Sequence, residues 1–336
     1  MSALGSFQRP YAHEPAMVDL VVELFAPVPA GLLIDATVGG GGHAAALLEA
    51  HAHLSLIGLD RDPDAVLAAG RRLAPFGERA VVRQGRFDRL AEVLSDAPHA
   101  AASGVLFDLG VSSAQLDRPE RGFSFRHEGP LDMRMDPAQP TSAAEIVNQT
   151  GADELARIIG RFGDERFARR IAQAIVAARS GGSRPIESTG QLAEVVRAAV
   201  PSPARRRGGD PARRTFQALR IAVNEELAIL PGALDQAIDL LLAGARCVVL
   251  AYHSGEDRIV KERFRHAATG GWSGPPGLPP PPDVHPTVSL LRRGAWRPSA
   301  AEIAANPRVE AARLRAVQKL GSESHSTAGE SGRLAS

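Results

Sequence analysis

The chain has 336 residues, of which 44% are hydrophobic, so it is long enough to bury a sizeable core in one large or two smaller domains. Its formal net charge of +1 predicts no acidic or basic partner, and its single cysteine, Cys247, excludes a disulfide framework, a zinc knuckle or an iron–sulfur cluster. We expect no bound metal. No stretch approaches the roughly 20 apolar residues of a membrane span, and the N-terminus lacks a signal-peptide pattern, so we expect a cytoplasmic protein without a membrane partner.

Apolar, strand-like runs alternate with helical ones in the first third of the chain. The expected strands are Leu32–Val38, Leu54–Asp60, Ala80–Gln84 and Gly104–Leu109. The expected helices are Gly42–Ala50, Pro63–Leu73, with Asp62 as its N-cap, and Phe87–Leu94. Short apolar strands joined by helices predict a parallel sheet covered on both faces, and therefore an α/β fold.

This alternation stops after Asp108, and residues 141–214 contain no clear strand. The helical patterns there are Ala143–Val147, Ala152–Ile159, Asp164–Ala178 and Gly190–Val200. Asp164 and Ser188 are residue types that commonly cap the start of a helix. We therefore predict that a helical domain is inserted into the sheet domain.

The sheet pattern resumes after this insertion. The expected elements are the helices Pro211–Ile229, Gly232–Leu242 and Glu256–His266 and the strands Arg246–Tyr252 and Val288–Arg292. Residues Ala311–Leu320 favour a helix by propensity. Residues 1–10 are expected to be a flexible N-terminus, and residues 321–336, which are small and polar, a disordered tail.

Four consecutive glycines join the first predicted strand to the next helix. In the pattern Asp35-x-x-x-Gly39-x-Gly41, glycine allows positive φ angles and close approach of a ligand to the backbone. The second strand ends at Asp60, whose carboxylate can accept both hydroxyls of a ribose. A nicotinamide dinucleotide and S-adenosylmethionine both fit this pattern, the latter with Asp35 near its amino-acid end. A tight turn without a ligand is the structural alternative.

The ends of the next two strands help to distinguish these cofactors. Phe87 lies where an adenine ring would pack, or else it is a core residue at a helix start. Asp108 ends the fourth strand, where a carboxylate and a neighbouring carbonyl would orient an exocyclic amine for methylation, a group that a dehydrogenase does not need. Carbon-5 methylation of cytosine would need a cysteine nucleophile, but Cys247 lies in an apolar strand where a buried, inert thiol is expected.

Several motifs together resemble one family, the bacterial 16S ribosomal RNA cytosine-N4 methyltransferases of MraW or RsmH type. They are "DATVGGGGH" (35–43), "GLDRDP" (58–63), "LFDLGVSSAQLD" (106–117), "RGFSFRHEGPLDMRMD" (121–136), "ERFARRIAQAIV" (165–176), "RRTFQALRIAVNEEL" (213–227), "YHSGEDRIVK" (252–261) and "NPR" (306–308). The resemblance is collinear over about residues 11 to 320. The pair "DLGVSS" and "GPLDMRMD" is highly specific, whereas the glycine loop alone would be weak.

The resemblance implies a class I S-adenosylmethionine-dependent methyltransferase with a Rossmann-like, mostly parallel sheet. It implies a discontinuous methyltransferase domain, residues 11–120 and 213–320, around an inserted helical substrate-recognition domain, residues 121–212. It also implies a last strand near Ala312–Gln318, where propensity favours helix. The cofactor contacts by resemblance are Gly41, Gly42, His43, Asp60, Phe87, Asp108 and Gln115, of which His43 and Gln115 rest on the resemblance alone.

The chain departs from the family pattern near two histidines. The family's H-x-P-V-L is His13-Glu-Pro-Ala-Met17 here, and its F-H-S-L-E-D-R is Tyr252-His-Ser-Gly-Glu-Asp-Arg258, so that tyrosine stands where the family has phenylalanine. His253 ends the fifth strand and is either a catalytic residue, which bonds the base or accepts a proton, or a neighbour of a capping-box helix start. His13 is a candidate contact to the substrate.

Charged side chains in and after the insertion are candidates for contact with RNA. Asp132 and Arg134 either shape the base pocket or belong to a solvated charge run. The basic stretch "SPARRRGGDPARR" (202–214) suits RNA phosphates, and two polar residues lie one turn apart on the next helix. The candidate RNA contacts are His13, Asp132, Arg134, Arg205, Arg206, Arg207, Arg214, Arg220 and Asn224.

The resemblance thus predicts N4-methylation of a cytidine in 16S ribosomal RNA of the small subunit, with S-adenosylmethionine as cofactor and Asp108 and His253 as catalytic residues. Two alternatives stay open: a nicotinamide-dependent oxidoreductase, and a non-catalytic RNA-binding ribosome assembly factor that has kept the fold. The sequence is compatible with a monomer and with a homodimer.

Overall fold

The structure is a computed structural model that describes residues 15–95, 101–181, 185–202, 209–274 and 281–321. The described residues form two compact units. The first contains the residues up to Gly110 and those from Ile229 onward, and the second contains Val111–Ala228. The predicted flexible N-terminus (1–10) and the predicted tail beyond Gly321 lie outside the described residues.

A seven-stranded sheet forms the first unit's framework. Its strands are β1 (Gly31–Asp35), β2 (Leu54–Asp60), β3 (Ala80–Gln84), β4 (Ala102–Asp108), β5 (Leu241–Ala251), β6 (Val288–Leu290) and β7 (Arg313–Lys319). Their order across the sheet is β3-β2-β1-β4-β5-β7-β6. The strands β1 to β5 pair in parallel, whereas β7 runs antiparallel to both β5 and β6. The predicted α/β fold with a mostly parallel sheet is confirmed.

The central strands are buried on both faces of the sheet. In β1, Ile34 belongs to one core cluster and its neighbour Leu33 to the other. In β4, Phe107 and Leu106 divide in the same way, and all four side chains are fully buried. Successive side chains of a strand point to opposite faces, so a strand covered on both sides needs apolar residues at every position. This requirement explains why these segments are uninterrupted apolar runs in the sequence.

The structure also defines the helices of both units. In chain order they are α1 (Val18–Phe25), α2 (Gly42–Ala50), α3 (Pro63–Leu73), α4 (Leu90–Ser95), α5 (Ser113–Asp117), α6 (Ala143–Gln149), α7 (Ala152–Gly163), α8 (Ala168–Gly181), α9 (Thr189–Ala199), α10 (Ala212–Asn224), α11 (Glu226–Asp239), α12 (Ser254–Ala268) and α13 (Ala300–Ala305). Helix α3 is capped as predicted, because Asp62 Oδ1 accepts a hydrogen bond from the backbone N–H of Asp64 at 3.0 Å. Among the described helices, none combines the length and the apolarity needed to cross a membrane.

The second unit has a hydrophobic core of its own. Leu155 of α7, Ile171 of α8 and Leu192 of α9 are fully buried in it. Ser188 caps α9 as predicted, accepting a hydrogen bond from the backbone N–H of Gln191 at 3.3 Å. None of the seven strands comes from the described residues of this unit, whose main elements are the helices α5 to α10.

Three predicted helix boundaries are wrong. Asp164 does not start a helix: it has φ +48° and terminates α7. Phe87 precedes α4, which begins only at Leu90. The break between α10 and α11 falls at Glu225, where φ is +55°, and Pro231 lies inside α11 instead of separating two helices.

The segment Ala311–Leu320 forms strand β7, so the helix that its propensity favours is wrong and the strand implied by the family resemblance is right. Both edges of β7 are paired: Val317 lies opposite Cys247 of β5 on one side and opposite Leu290 of β6 on the other. Helix propensities of ordinary residues differ by only about 0.5 kcal/mol per residue. Backbone pairing on both edges of β7, together with burial of its side chains, outweighs that preference.

Candidate active site

The turn between β1 and α2 is built from glycines in left-handed conformations. Gly39 has φ +52° and Gly41 has φ +77°, a region that costs other L-residues roughly 1–2 kcal/mol. Gly41 is the N-cap of α2 and has no side chain to bond the first N–H groups of that helix. The turn therefore presents bare backbone and a helix start that no side chain caps, the usual environment for a ligand carrying oxygen or negative charge.

Asp60 lies at the end of β2, directly beside this turn. Its Oδ2 accepts a hydrogen bond from the backbone N–H of Gly39 at 2.9 Å, and its Oδ1 accepts one from Asp62 at 2.9 Å. Each oxygen keeps a second lone pair for a further donor. Burial, offset in part by these two bonds, raises the pKa of Asp60 to about 6.

Asp35, the last residue of β1, lies below the turn and is only 2% exposed. Its Oδ1 accepts a hydrogen bond from the backbone N–H of Thr37 at 3.2 Å. Burial raises the pKa of Asp35 to about 8, with smaller contributions from the nearby Asp108 and Asp60 carboxylates. In this state Asp35 is mostly protonated at neutral pH.

Asp108 ends β4 and is fixed by three neighbouring elements. Its backbone N–H donates to Thr37 Oγ1 at 2.6 Å, its Oδ1 accepts from the Tyr252 hydroxyl at 2.7 Å, and its Oδ2 lies 3.5 Å from His43 Nδ1. The side chain is 26% exposed, so part of the carboxylate is accessible. Burial raises the pKa of Asp108, while His43 and the Tyr252 hydroxyl oppose that rise.

His43 is buried at the start of α2, and its ring orientation follows from its two contacts. Nε2 lies 2.9 Å from the carbonyl oxygen of Ala16, which can only accept, so Nε2 carries a hydrogen and donates it. The other ring nitrogen, Nδ1, faces Asp108 Oδ2 at 3.5 Å.

Phe87 lies in the loop between β3 and α4, not at a helix start. Its ring is partly buried and meets Phe107 edge to face, with the ring centroids 5.9 Å apart. Edge-to-face packing on one partner fixes the ring while leaving room for contact elsewhere. Its position is therefore compatible with contact to an adenine ring and with packing on the core, whereas the helix start at Phe87 is wrong.

Gln115 belongs to the second unit and is 6% exposed. Its Oε1 accepts a hydrogen bond from the backbone N–H of Ser112 at 3.0 Å, and its own backbone N–H donates to Ser112 Oγ at 3.2 Å. These two bonds form a capping box at the start of α5. Its contact with the cofactor stays a prediction.

His253 is itself the N-cap of α12, which begins at Ser254, two residues before the Glu256 start expected from the sequence. Its Nδ1 accepts a hydrogen bond from the backbone N–H of Glu256 at 3.4 Å, and Glu256 Oε2 accepts from the backbone N–H groups of Tyr252 and His253. His253 Nε2 lies 3.2 Å from Glu256 Oε1. This geometry supports a role in capping the helix, and the catalytic role of His253 stays a prediction.

Asp132 and Arg134 pair with each other. Arg134 Nε and Nη2 donate to the two oxygens of Asp132, both at 2.8 Å, and Arg134 Nη1 donates to the Gln139 carbonyl at 3.0 Å. These bonds lower the pKa of Asp132 despite its partial burial. The pair holds the loop before α6 in shape.

Asn224, at the end of α10, is fully buried and does not face a cleft as the sequence suggested. Its side chain accepts from the backbone N–H of Met135 at 2.9 Å and donates to the carbonyls of Met133 and Arg220, which ties the same loop to α10. Arg220 makes a bidentate ion pair with Glu226 at 2.8 and 2.9 Å. Asn224 therefore belongs to the framework of the second unit and is too buried to contact RNA, whereas contact of Arg220 with RNA stays a prediction.

The remaining predicted RNA contacts divide between described and undescribed residues. Arg214 is exposed at the start of α10, where its Nη1 donates to the carbonyl of Asp164 at 2.8 Å. The other four, His13, Arg205, Arg206 and Arg207, lie outside the described residues.

Sequence reasoning missed two contacts of Asp108. Thr37 and Tyr252 reach it from the ends of β1 and β5, on either side of β4. The available signal was positional, because in a parallel sheet the residues just after neighbouring strands meet at the same edge.

These features define a class of protein. A mostly parallel sheet of this strand order, with a glycine turn after β1 and acidic residues ending β2 and β4, is a Rossmann-like fold, the class of fold that binds nucleoside cofactors at the carboxyl ends of its strands. The model of the MraW methylase family matches residues 10–320. The chain belongs to that family.

Curated relatives agree over nearly the whole chain. Over 312 residues the chain is 53% identical to ribosomal RNA small subunit methyltransferase H of Acidothermus cellulolyticus, which covers 92% of this chain and 94% of the relative. It is 50% identical to the protein of that name from Thermobifida fusca, with 92% and 93% covered. For the one from Symbiobacterium thermophilum the identity is 49%, with 92% and 97% covered. The family resemblance found in the motifs is thus confirmed.

Proposed function

We propose that the protein methylates N4 of a cytidine in the 16S ribosomal RNA of the small subunit, with S-adenosylmethionine as methyl donor. The observation that carries the proposal is the partly exposed Asp108 carboxylate at the end of β4, on the sheet edge shared with the glycine turn and Asp60. The relatives, 53% and 50% identical and named as small-subunit ribosomal RNA methyltransferases, support the substrate class.

The residues at this edge fit S-adenosylmethionine. Gly39 and Gly41 leave the backbone of the turn open to an amino-acid group, with Asp35 beneath it. Asp60 has lone pairs left for ribose hydroxyls, and burial raises its pKa although two backbone N–H groups donate to it. Phe87 offers a ring for the adenine. When bound, the cofactor supplies a methyl group on a positively charged sulfur.

By family likeness, Gly42, His43 and Gln115 complete the set of cofactor contacts. Gly42 and His43 are the first residues of α2, directly after the turn. His43 also faces Asp108 Oδ2, so one side chain connects the cofactor turn to the carboxylate. Gln115 follows β4 by seven positions and is the third residue of α5.

Asp108 prepares the amine for transfer. The lone pair of an exocyclic amine is delocalised into the base, which makes the nitrogen a poor nucleophile. A carboxylate that accepts its N–H favours a pyramidal nitrogen whose lone pair is free, and holding it in line supplies most of the acceleration. Asp108 must be ionised for this task, and His43 and Tyr252 oppose the rise of its pKa caused by burial. The same carboxylate is the acceptor for the proton that the nitrogen then loses.

Exposed arginines of the second unit support RNA as the substrate. Besides Arg214 they include Arg161, Arg169, Arg170 and Arg213 on α7, α8 and α10. Such side chains neutralise phosphates without reading sequence, so binding should weaken steeply with salt. We propose that this unit recognises the RNA, that the reaction takes place on the small subunit in the cytoplasm, and that the target base is turned out of its stack.

The test is nucleoside analysis of small subunits after incubation with the protein and methyl-labelled S-adenosylmethionine. We expect labelled N4-methylcytidine from the wild type and a loss of at least about 100-fold with Asp108→Asn, at nearly unchanged affinity for RNA. Labelled 5-methylcytidine, or no labelled cytidine at all, would contradict the proposal. Undiminished methylation by Asp108→Asn would contradict the role of Asp108.

Calorimetric titrations separate the two alternatives from this proposal. We expect S-adenosylhomocysteine to bind and NAD not to bind. Binding of NAD alone would favour an oxidoreductase. Binding of RNA without any methyl transfer would favour an assembly factor.

A further inference from the structure

The hydroxyl of Tyr252 donates to Asp108 Oδ1 at 2.7 Å, across 144 residues of sequence. Tyr252 directly follows β5, and Asp108 ends β4, the parallel neighbour of β5, where it is in register with Leu250. The register of two adjacent strands thus brings the phenol of one and the carboxylate of the other to the same sheet edge.

Tyr252 is itself held in place. Its backbone N–H donates to Glu256 Oε2 at 2.8 Å, and its partly buried ring packs against the core cluster that contains Leu250 and Leu314. Burial, together with the negative charge of Asp108, raises the pKa of the phenol well above its ordinary value. The hydroxyl therefore keeps its hydrogen throughout the physiological range and acts as a permanent donor.

The two oxygens of Asp108 have different neighbours as a result. Oδ1 is bound by the Tyr252 hydroxyl, and Oδ2 faces His43 Nδ1 at 3.5 Å. The Tyr252 bond therefore orients the carboxylate through Oδ1, and the lone pairs that remain point in defined directions. Rotation of the Asp108 carboxylate about its Cβ–Cγ bond would break the hydrogen bond from Tyr252. The Tyr252 hydroxyl therefore determines the orientation in which the carboxylate faces an amine.

We propose that Tyr252 is a positioning residue for the methyl-transfer step, acting through its hydrogen bond to Asp108 to hold that carboxylate in the orientation that receives the amine. The inference rests on the proposed function and concerns the same site. The motif that the resemblance rests on has phenylalanine at the position of Tyr252, so the hydroxyl is not part of that motif.

The proposal has a signature in the pH dependence. The titratable groups that act on Asp108 are His43 of α2, Tyr252 after β5, Glu256 of α12 and Asp35 of β1. Among them Tyr252 donates a hydrogen bond that favours the ionised carboxylate, so its removal shifts the ionisation of Asp108 to higher pH. The rate of methyl transfer should then fall off at a higher pH on the acid side.

Tyr252→Phe is the direct test because it removes one oxygen and restores the residue of the family motif. We expect kcat for small subunits to fall roughly two- to tenfold, which is the range of one net hydrogen bond. The KM values for S-adenosylmethionine and for subunits should stay within about twofold, since the contact acts on orientation and not on binding. The acid limb of the kcat profile, followed from pH 5.5 to 9, should move upward.

Ser55→Ala is the matched control, because it also removes a single hydroxyl, from the opposite end of the sheet, where Ser55 Oγ donates to the Gly31 carbonyl at 3.5 Å. It should leave both kcat and the profile unchanged. A Tyr252→Phe enzyme with wild-type kcat and pH profile would overturn the proposal. So would an unchanged profile accompanied by a loss of thermal stability or of S-adenosylhomocysteine affinity, since that pattern denotes a purely structural role. Formation of N4-methylcytidine by the wild type, measured alongside, keeps failure of this inference separate from failure of the proposed function.

Discussion

The carboxylate of Asp60 accepts a hydrogen bond from the backbone N–H of Gly39, 21 residues earlier in the chain. The bond joins the end of β2 to the glycine turn that follows β1, so the group expected to bind a ribose also shapes the loop expected to hold the amino-acid end. The Asp60 side chain therefore couples the position of the glycine turn to the affinity of the protein for the nucleoside.

Replacing Asp60 with asparagine should weaken cofactor binding more than catalysis. The asparagine amide nitrogen cannot accept a hydrogen bond, so one of the two acceptor oxygens that bind the backbone and the ribose is lost. Loss of a hydrogen bond to a charged group costs roughly 1.5–3 kcal/mol of binding free energy. We expect the Kd for S-adenosylhomocysteine, measured by calorimetry, to rise about 10- to 100-fold. The kcat at saturating cofactor should stay close to wild type. Asp64→Asn, in the first turn of α3, serves as control, and an unaltered Kd for Asp60→Asn would contradict this assignment.

Two glycine-to-alanine changes should have opposite effects on stability. Gly41 has φ +77°, and an added Cβ would lie 3.3 Å from Ala69 Cα, so Gly41→Ala should lower the melting temperature by roughly 2–6 °C and weaken S-adenosylhomocysteine binding. Gly70, inside α3, has nothing within 4 Å of an added Cβ, so Gly70→Ala should raise the melting temperature by about 1–3 °C. Equal shifts for the two variants in a thermal melt would argue against the strained turn.

Asp35→Asn should stabilise the protein increasingly as the pH rises. The folded state holds the Asp35 proton up to about pH 8, whereas the unfolded chain releases it near the ordinary value of 3.8. Between these values the wild type has more protons bound when folded, so its unfolding free energy falls with rising pH, by about 1.4 kcal/mol per unit for one group. Asparagine removes this dependence while its oxygen can still accept from Thr37.

Melting temperatures measured between pH 5 and pH 8 provide the check on Asp35. The difference between Asp35→Asn and wild type should widen steadily across the range. Asp19→Asn, which changes an exposed carboxylate of α1, should give a difference that does not widen. Parallel curves for Asp35→Asn and wild type would show that Asp35 is ionised in the folded protein.

Cys247→Ala should leave the methylation rate within about twofold of wild type, because the Cys247 thiol does not act as a nucleophile in the proposed reaction. Cys247 is fully buried in β5, and burial raises its pKa far above that of an ordinary thiol. The small cavity should cost roughly 1 kcal/mol of stability. The native wild type should also resist alkylation by iodoacetamide until it is unfolded. Abolished methylation in a folded Cys247→Ala protein would point instead to carbon-5 chemistry.

The sequence was sufficient to predict the parallel strands of the sheet and several residues of the candidate site at their carboxyl ends. Residues that end the buried strands, such as Asp60 and Asp108, are recognisable because an apolar run stops at a charged residue. The glycine turn is equally local, since its positive φ angles exclude most other residues. These patterns involve only residues that are close in sequence, so they can be recognised without knowledge of the tertiary structure.

Other features depend on partners that are distant in sequence. Strand β7 has helical propensity, and only its position between β5 and β6 makes it a strand. Asn224 and Tyr252 are ordinary polar residues in sequence, and their roles come from backbone groups and a carboxylate that lie 89 to 144 residues away. Pairings at such separations have no local pattern, so a single sequence does not display them.

The insertion of a whole unit between β4 and β5 has a consequence for synthesis of the protein. During translation, β4 leaves the ribosome long before its parallel partner β5, so the Asp108–Tyr252 contact forms only after the inserted unit has been made. Closing so long a loop adds little entropy cost, because that cost grows only with the logarithm of loop length. Until then one edge of β4 has no strand beside it, and such an edge is prone to aggregation. We therefore expect the nascent chain to depend on prompt condensation of the inserted unit around its own core.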